Sequence, residues 1–126
     1  NYAQLYQFFC SLTPAETVLE LGTCMGISSR YLSKITRGKL YTFEGSKEIA
    51  RIAQPKQEYE NINLIVGQLS QTLPNACTNL DTIDFALIDA THNYEGTLHY
   101  FDLIQTNGLE TWRRHGLKLN QGLKSN

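Results

Sequence analysis

Four short apolar runs, each followed by a segment of helical spacing, constrain this chain more than any other feature. The runs are read as strands at about residues 17–21, 39–43, 62–66 and 83–88, the last ending at Asp89. A first helix is expected at 2–12, with Leu5, Phe8, Phe9 and Leu12 inward, ended by Thr13-Pro14. The next is expected at 26–36, burying Ile27, Tyr31, Leu32 and Ile35. Ser46 reads as the N-cap of a third helix reaching about Tyr59, with Pro55 kinking or interrupting it. A short helix follows at 69–73, and 74–80 reads as loop or frayed helix end. A last helix at 94–104 turns Leu98, Phe101 and Ile104 inward. Strands separated by helices cannot be joined by hairpins, so they run parallel through crossovers. The expected class is therefore α/β, a doubly wound, mostly parallel sheet with helices on both faces.

The chain of 126 residues is 41% hydrophobic, enough for one core, so 1–126 is read as a single domain. Its parts are an N-terminal helix (1–16), a core (17–104) and an incomplete C-terminal segment (105–126). After Ile104 a turn and a fifth strand are expected. Gln105-Thr106-Asn107-Gly108 instead leads into 109–114, which reads as helix, and 116–126 holds only three leucines as apolar content. Segments missing near 104–108 and again after 114 are the reading this favours. The net charge of −1 gives no reason to expect a nucleic-acid partner. No run of about 18 apolar residues exists to cross a membrane, and no secretory signal is visible. Three widely spaced cysteines, Cys10, Cys24 and Cys77, form no C-x-x-C motif. Their odd number fits a reducing, cytoplasmic location.

The chemistry gathers where strands end. In Val18-Leu19-Glu20-Leu21-Gly22-Thr23-Cys24-Met25-Gly26-Ile27-Ser28-Ser29, an apolar run closes on an acid and breaks at two glycines four apart. It then resumes with helical spacing, so a strand, a tight loop and a helix N-terminus are expected, a place to hold a nucleotide-like ligand. A second acid, Glu44, closes the next strand. Two acids at adjacent strand ends beside a glycine loop suit a ribose with free hydroxyls. Gly67 and Asp89 close the third and fourth strands. In doubly wound sheets ligands sit beyond the carboxyl ends of the strands.

Three glycine-loop types compete. A phosphate-binding P-loop needs G-x-x-x-x-G-K-[ST], and Ile27 stands where the lysine would be. A dinucleotide fingerprint needs glycine at 24 and 27, where Cys24 and Ile27 stand. The run from Val18 to Gly26 resembles the first motif of class I S-adenosylmethionine-dependent methyltransferases, E/D-x-G-x-x-x-G after the first strand. Asn63-Leu64-Ile65-Val66-Gly67-Gln68-Leu69-Ser70 resembles that family's third-strand motif, with Gln68 where aspartate is common. The segment from Asp84 to Gly96 resembles the D-x-x-x-I-D-x-x-H-x-Y-E of a small-molecule O-methyltransferase branch.

The resemblance spans about residues 18–104 and implies a Rossmann-like fold. It implies S-adenosylmethionine held by Glu20, Gly22, Thr23, Gly26, Ser28, Glu44, Gly67, Gln68 and Asp89. Glu20 and the Gly22 carbonyl would take its ammonium, Glu44 its ribose, and Gln68 its adenine edge. His92 would act as general base on an oxygen nucleophile, and Asp89 would orient the acceptor or hold Mg²⁺. The implied partner is a small-molecule methyl acceptor, with a homodimer allowed. Plainer readings stand beside these. Glu20 caps a helix or pairs with a neighbour, and His92 packs on Tyr94. Cys24 is a small residue in a crowded turn rather than a catalytic thiol. The Tyr6, Phe8 and Phe9 run packs a helix on the sheet, and His99 and His115 lie on the surface. Two other functions remain: a non-catalytic cofactor-binding or partner domain of the same fold, and an NAD-dependent oxidoreductase, which the glycine spacing disfavours.

Overall fold

A computed structural model of the chain describes residues 2–54, 59–90 and 93–107. Nine elements alternate: α1 (Tyr2–Ser11), β1 (Thr17–Leu21), α2 (Ile27–Ile35), β2 (Lys39–Glu44), α3 (Lys47–Ala53), β3 (Ile62–Val66), α4 (Leu69–Asn79), β4 (Phe85–Ile88) and α5 (Tyr94–Asn107). The four strands form one sheet in the order β3-β2-β1-β4, every pair parallel. The α/β class, the parallel sheet and the helices on both faces are as expected.

Alternation along β1 divides the core. Leu19 and Leu21 join Phe43, Leu73, Cys77, Ile83 and Ile104 on the face covered by α4 and α5. Val18 joins Leu40, Leu32, Cys10 and Ala15 on the face covered by α1 and α2. Successive strand residues point to opposite faces, so Glu20 shares the Val18 side, under α2. The start of β4 is tied to the start of β1, because Asp84 Oδ2 accepts from the amides of Glu16 and Thr17, both at 2.9 Å.

Several helix expectations are corrected. In α1 the buried residues are Ala3 and Cys10, with Tyr6 and Gln7 half-buried, whereas Leu5, Phe8, Phe9 and Leu12 are exposed. Small side chains let α1 lie close along α2, where Gln7 Nε2 donates to the Tyr31 carbonyl at 2.9 Å. The larger apolar stripe is left facing out. In α2 Leu32 is buried, but Ile27 is exposed, and Ser29 and Ser33 take the inner positions. Ser29 is inward because the Glu20 carboxylate beneath it takes its hydroxyl, whereas Ser33 donates to the Arg30 carbonyl.

The third helix ends at Ala53, short of the expected Tyr59. Gln54 already has ψ 120, the extended conformation favoured before a proline. Pro55 itself lies outside the described residues. The fourth helix runs through Pro74 to Asn79, well past the expected 73. Leu73 and Cys77 are anchored in the core on either side of the proline, and that burial outweighs the lost amide. In α5 Leu98 is exposed, Tyr100 is half-buried against the core, and the helix continues to Asn107 without the turn expected after Ile104. The helix expected at 109–114 and everything after Asn107 lie outside the described residues.

Candidate functional site

The carboxyl ends of the strands are laced together by backbone. The Phe43 carbonyl accepts from the amides of both Gly22 and Thr23 at 3.0 Å, tying the glycine loop to β2. Gly67 N donates to the Glu44 carbonyl at 3.0 Å, and Asp89 N to the Leu21 carbonyl at 2.9 Å. All four ends are thus fixed relative to one another. Gly22 has φ 106, and a Cβ there would lie 2.5 Å from the Asp89 carbonyl oxygen. Only glycine allows the first loop to pass this close to the end of β4. Gly26 has φ 77 and serves as the N-cap of α2. Cys24 sits between them in a left-handed conformation at φ 49.

A cavity of about 320 Å³ opens above these ends. Gly22, Cys24, Glu44, Gly67, Asp89, Leu69, Ile49 and Tyr100 are among the residues that line it. The volume lies in the range usual for small-molecule sites. No lysine, arginine or histidine among the described residues lines it.

Glu44 is held in place. Its Oε1 accepts from Cys24 N and its Oε2 from Ser46 N, both at 3.0 Å. Each oxygen keeps a further lone pair for a ligand hydroxyl. Ser46 meanwhile caps α3 as expected, its Oγ accepting from Ile49 N at 3.3 Å.

Glu20 is fully buried. Ser28 Oγ donates to its Oε2, and Ser29 Oγ and Thr42 Oγ1 donate to its Oε1, the last at 2.7 Å. Thr23 Oγ1 and Thr42 Oγ1 lie 2.6 Å apart and extend the network into the loop. Burial pushes the Glu20 carboxyl above the usual carboxylate range, while the three hydroxyls pull it partly back. Glu20, Thr23 and Ser28 therefore lie beneath the cavity rather than along its wall, and join β1, β2, the glycine loop and α2.

The predicted residues thus divide. Gly22, Glu44, Gly67 and Asp89 converge on the cavity. Gly26 shapes the loop. Gln68 is exposed and precedes α4, whose first turn its carbonyl supports by accepting from the amides of Gln71 and Thr72. Asp89 is exposed, and its carboxylate makes no hydrogen bond or ion pair with the described residues. His92 lies outside the described residues.

Sequence reasoning missed the cavity roles of the Cys24 amide, Ile49, Leu69 and Tyr100. Tyr100 had a signal: it lies four residues before Ile104 on the same helical stripe. The donors to Glu20 had one too, since Thr42 pairs in register with Glu20 on the neighbouring strand.

Burial, with Glu44, Asp89 and Glu20 nearby, pushes the Cys24 thiol up. It is kept protonated, which supports the plainer reading of this residue. Among the described residues no three His, Cys, Asp or Glu side chains gather as metal ligands.

The glycine loop and acid-lined cavity fit a nucleoside bearing a cationic substituent. Glu44 offers a fixed acceptor for vicinal hydroxyls, and the positive-φ glycines keep the space above the loop open. A family model described as a methyltransferase domain matches residues 19–115. No curated protein matches the sequence.

Several solved structures share the fold. An O-methyltransferase of Bacillus cereus in complex with S-adenosylhomocysteine superposes with a TM-score of 0.73 at 23% identity, over 85% of this chain and 51% of its own. An O-methyltransferase of Streptomyces achromogenes involved in tomaymycin synthesis, in complex with S-adenosylmethionine, gives 0.73 at 22%, over 85% and 50%. A Klebsiella pneumoniae protein gives 0.74 at 23%, over 86% and 50%. The chain spans about half the length of these structures.

Proposed function

The chain belongs to the methyltransferase-domain family, of the class I S-adenosylmethionine-dependent kind, and from that premise we propose that it binds S-adenosylmethionine and methylates an oxygen of a small acceptor. The observation that carries this reading is the anchored Glu44 carboxylate facing a cavity with no basic wall among the described residues. A pyrophosphate would meet Glu44 and Asp89 with no compensating cation among the described residues, which argues against a dinucleotide. A sulfonium with an aminoacyl group meets favourable charge.

In this reading Glu44 accepts the ribose hydroxyls, Ile49 and Leu69 flank the base, and Gln68 reaches its edge. The Gly22 loop carries the aminoacyl end. Glu20, Thr23 and Ser28 hold that loop from below. The cofactor supplies an electrophilic methyl group. The protein supplies proximity and orientation, worth several kcal/mol of barrier in favourable cases (about 7 or more). We assign to His92, three residues after Asp89, the role of taking the proton from the acceptor hydroxyl. Asp89 sits at the boundary between cofactor and acceptor. A homodimer is compatible with this site, and three free thiols among the described residues suit a reducing, cytoplasmic setting. No helix among the described residues is long and apolar enough to cross a membrane.

Calorimetry with S-adenosylmethionine, S-adenosylhomocysteine and NAD tests the reading directly. Binding of the two sulfur nucleosides without NAD is expected, and binding of NAD alone would end it. His92→Ala is expected to abolish turnover while leaving cofactor affinity intact. Full activity in that variant would return His92 to a structural role.

A further inference from the structure

We infer that Asp89 selects the cofactor by charge, favouring the sulfonium form over the neutral thioether left after methyl transfer. The inference rests on the cofactor reading above and concerns one residue of that cavity. The strand order β3-β2-β1-β4 sets Gly67, Glu44, Gly22 and Asp89 in a row across the top of the sheet. Neighbouring strands are about 4.8 Å apart, so Glu44 and Asp89, on the strands flanking β1, are separated by roughly 10 Å. A nucleoside whose 2′- and 3′-hydroxyls rest on Glu44 extends its base one way and its 5′ substituent the other. Ile49 and Leu69 give the β3 side an apolar character suited to a base. The 5′ substituent therefore crosses Gly22 toward β4. There the absent Cβ of Gly22 leaves its backbone against the Asp89 carbonyl, and Asp89 lines the cavity at that end, so a 5′ sulfur in this pose lies beside it.

The three acids near the loop differ in how far their charge is already committed. Glu20 receives three hydroxyls, and Glu44 receives two backbone amides. Asp89 lines the same cavity and has no partner among the described residues. Among the described residues nothing else takes up its charge. S-Adenosylmethionine and S-adenosylhomocysteine differ there by one methyl group and one positive charge, so a carboxylate beside the sulfur distinguishes them. Replacement of the spent thioether by fresh sulfonium cofactor is favoured by the same contact.

Because Asp89 is exposed, the effect is that of a partly screened ion pair, about fivefold in affinity. The experiment is calorimetry of the full chain with S-adenosylmethionine and S-adenosylhomocysteine at low and high salt. Asp89→Asn is compared with Glu44→Gln, and melting temperatures verify that both variants fold. Asp89→Asn is expected to weaken the sulfonium ligand about fivefold and leave the thioether unchanged, with the gap closing at high salt. Glu44→Gln is expected to weaken both equally. If Asp89→Asn shifts both ligands alike, or neither, charge selection is overturned while the cofactor reading stands. If the unaltered chain binds neither nucleoside, both fall.

Discussion

The two sides of the sheet are held in different ways. At the glycine-loop end, β1, β2 and α2 are bound by a polar lattice: a buried carboxylate with three hydroxyl donors, a second carboxylate with two amide donors, and backbone bonds joining every strand end. Beside β4 the described residues form an apolar groove. A groove of about 660 Å³ runs along that strand between Phe9 and Leu12 on one wall and Phe101 and Ile104 on the other. Directional bonds fix geometry to fractions of an ångström, which a ligand site needs. Apolar contact tolerates substitution and fixes less. The contrast implies that small changes will be felt sharply at the loop and weakly on the outer stripe of α1.

The largest expected effect follows from the close approach of the glycine loop to the end of β4. Gly22→Ala places a Cβ 2.5 Å from a backbone oxygen at a positive φ. It is expected to cost about 3 kcal/mol of stability and to abolish nucleoside binding, measured by denaturant unfolding and calorimetry. A variant of near-normal stability would show that the loop can shift and that the lattice is softer than described.

Next in size, Glu44→Ala removes an anchored acceptor. Cofactor affinity is expected to fall about tenfold or more, corresponding to roughly 1.5–3 kcal/mol for hydrogen bonds to a charged group. An unchanged dissociation constant would remove Glu44 from the site.

The Glu20 network gives a signed pH prediction. Burial raises its folded pKa above the ordinary value of 4.5, so the folded chain holds a proton that the unfolded chain loses first. The contribution is fully present below that value and is lost as pH rises through the folded pKa. Glu20→Gln is expected to flatten the fall in stability as pH rises above the ordinary carboxylate value. An identical pH profile in the variant would show that Glu20 does not titrate differently on folding.

The smallest effect lies on the other side of the comparison. Phe9 is 50% exposed on the open stripe, and Phe9→Ser is expected to change stability by less than about 0.5 kcal/mol. A loss of several kcal/mol would mean that this face is covered in solution, and it would erase the contrast.

Much of this was legible before any coordinates. Short apolar runs alternating with helical spacing marked the four strands and their parallel sense, because a crossover helix permits no other pairing. Gly22, Glu44, Gly67 and Asp89 were placed at one edge by topology alone. Helix faces were harder to read. Leu5, Phe8, Phe9 and Leu12 have the spacing of an inner face, yet the smaller Ala3 and Cys10 are buried, because close approach of α1 to α2 rewards small side chains. Pro74 looked like a terminus, but burial of Leu73 and Cys77 carried the helix through it.

What the sequence alone determined is the architecture and the location of the site, since both follow from local periodicity and from where strands must end. Which acid does what was decided only by tertiary structure. Glu20 and Glu44 are each an acid at the carboxyl end of a β-strand run, and their roles are not set by that placement. The neighbouring strand and α2 bury the first under hydroxyls, while the backbone of the loop holds the second open to a ligand, because hydrogen-bond partners are set by distance in space and not along the chain.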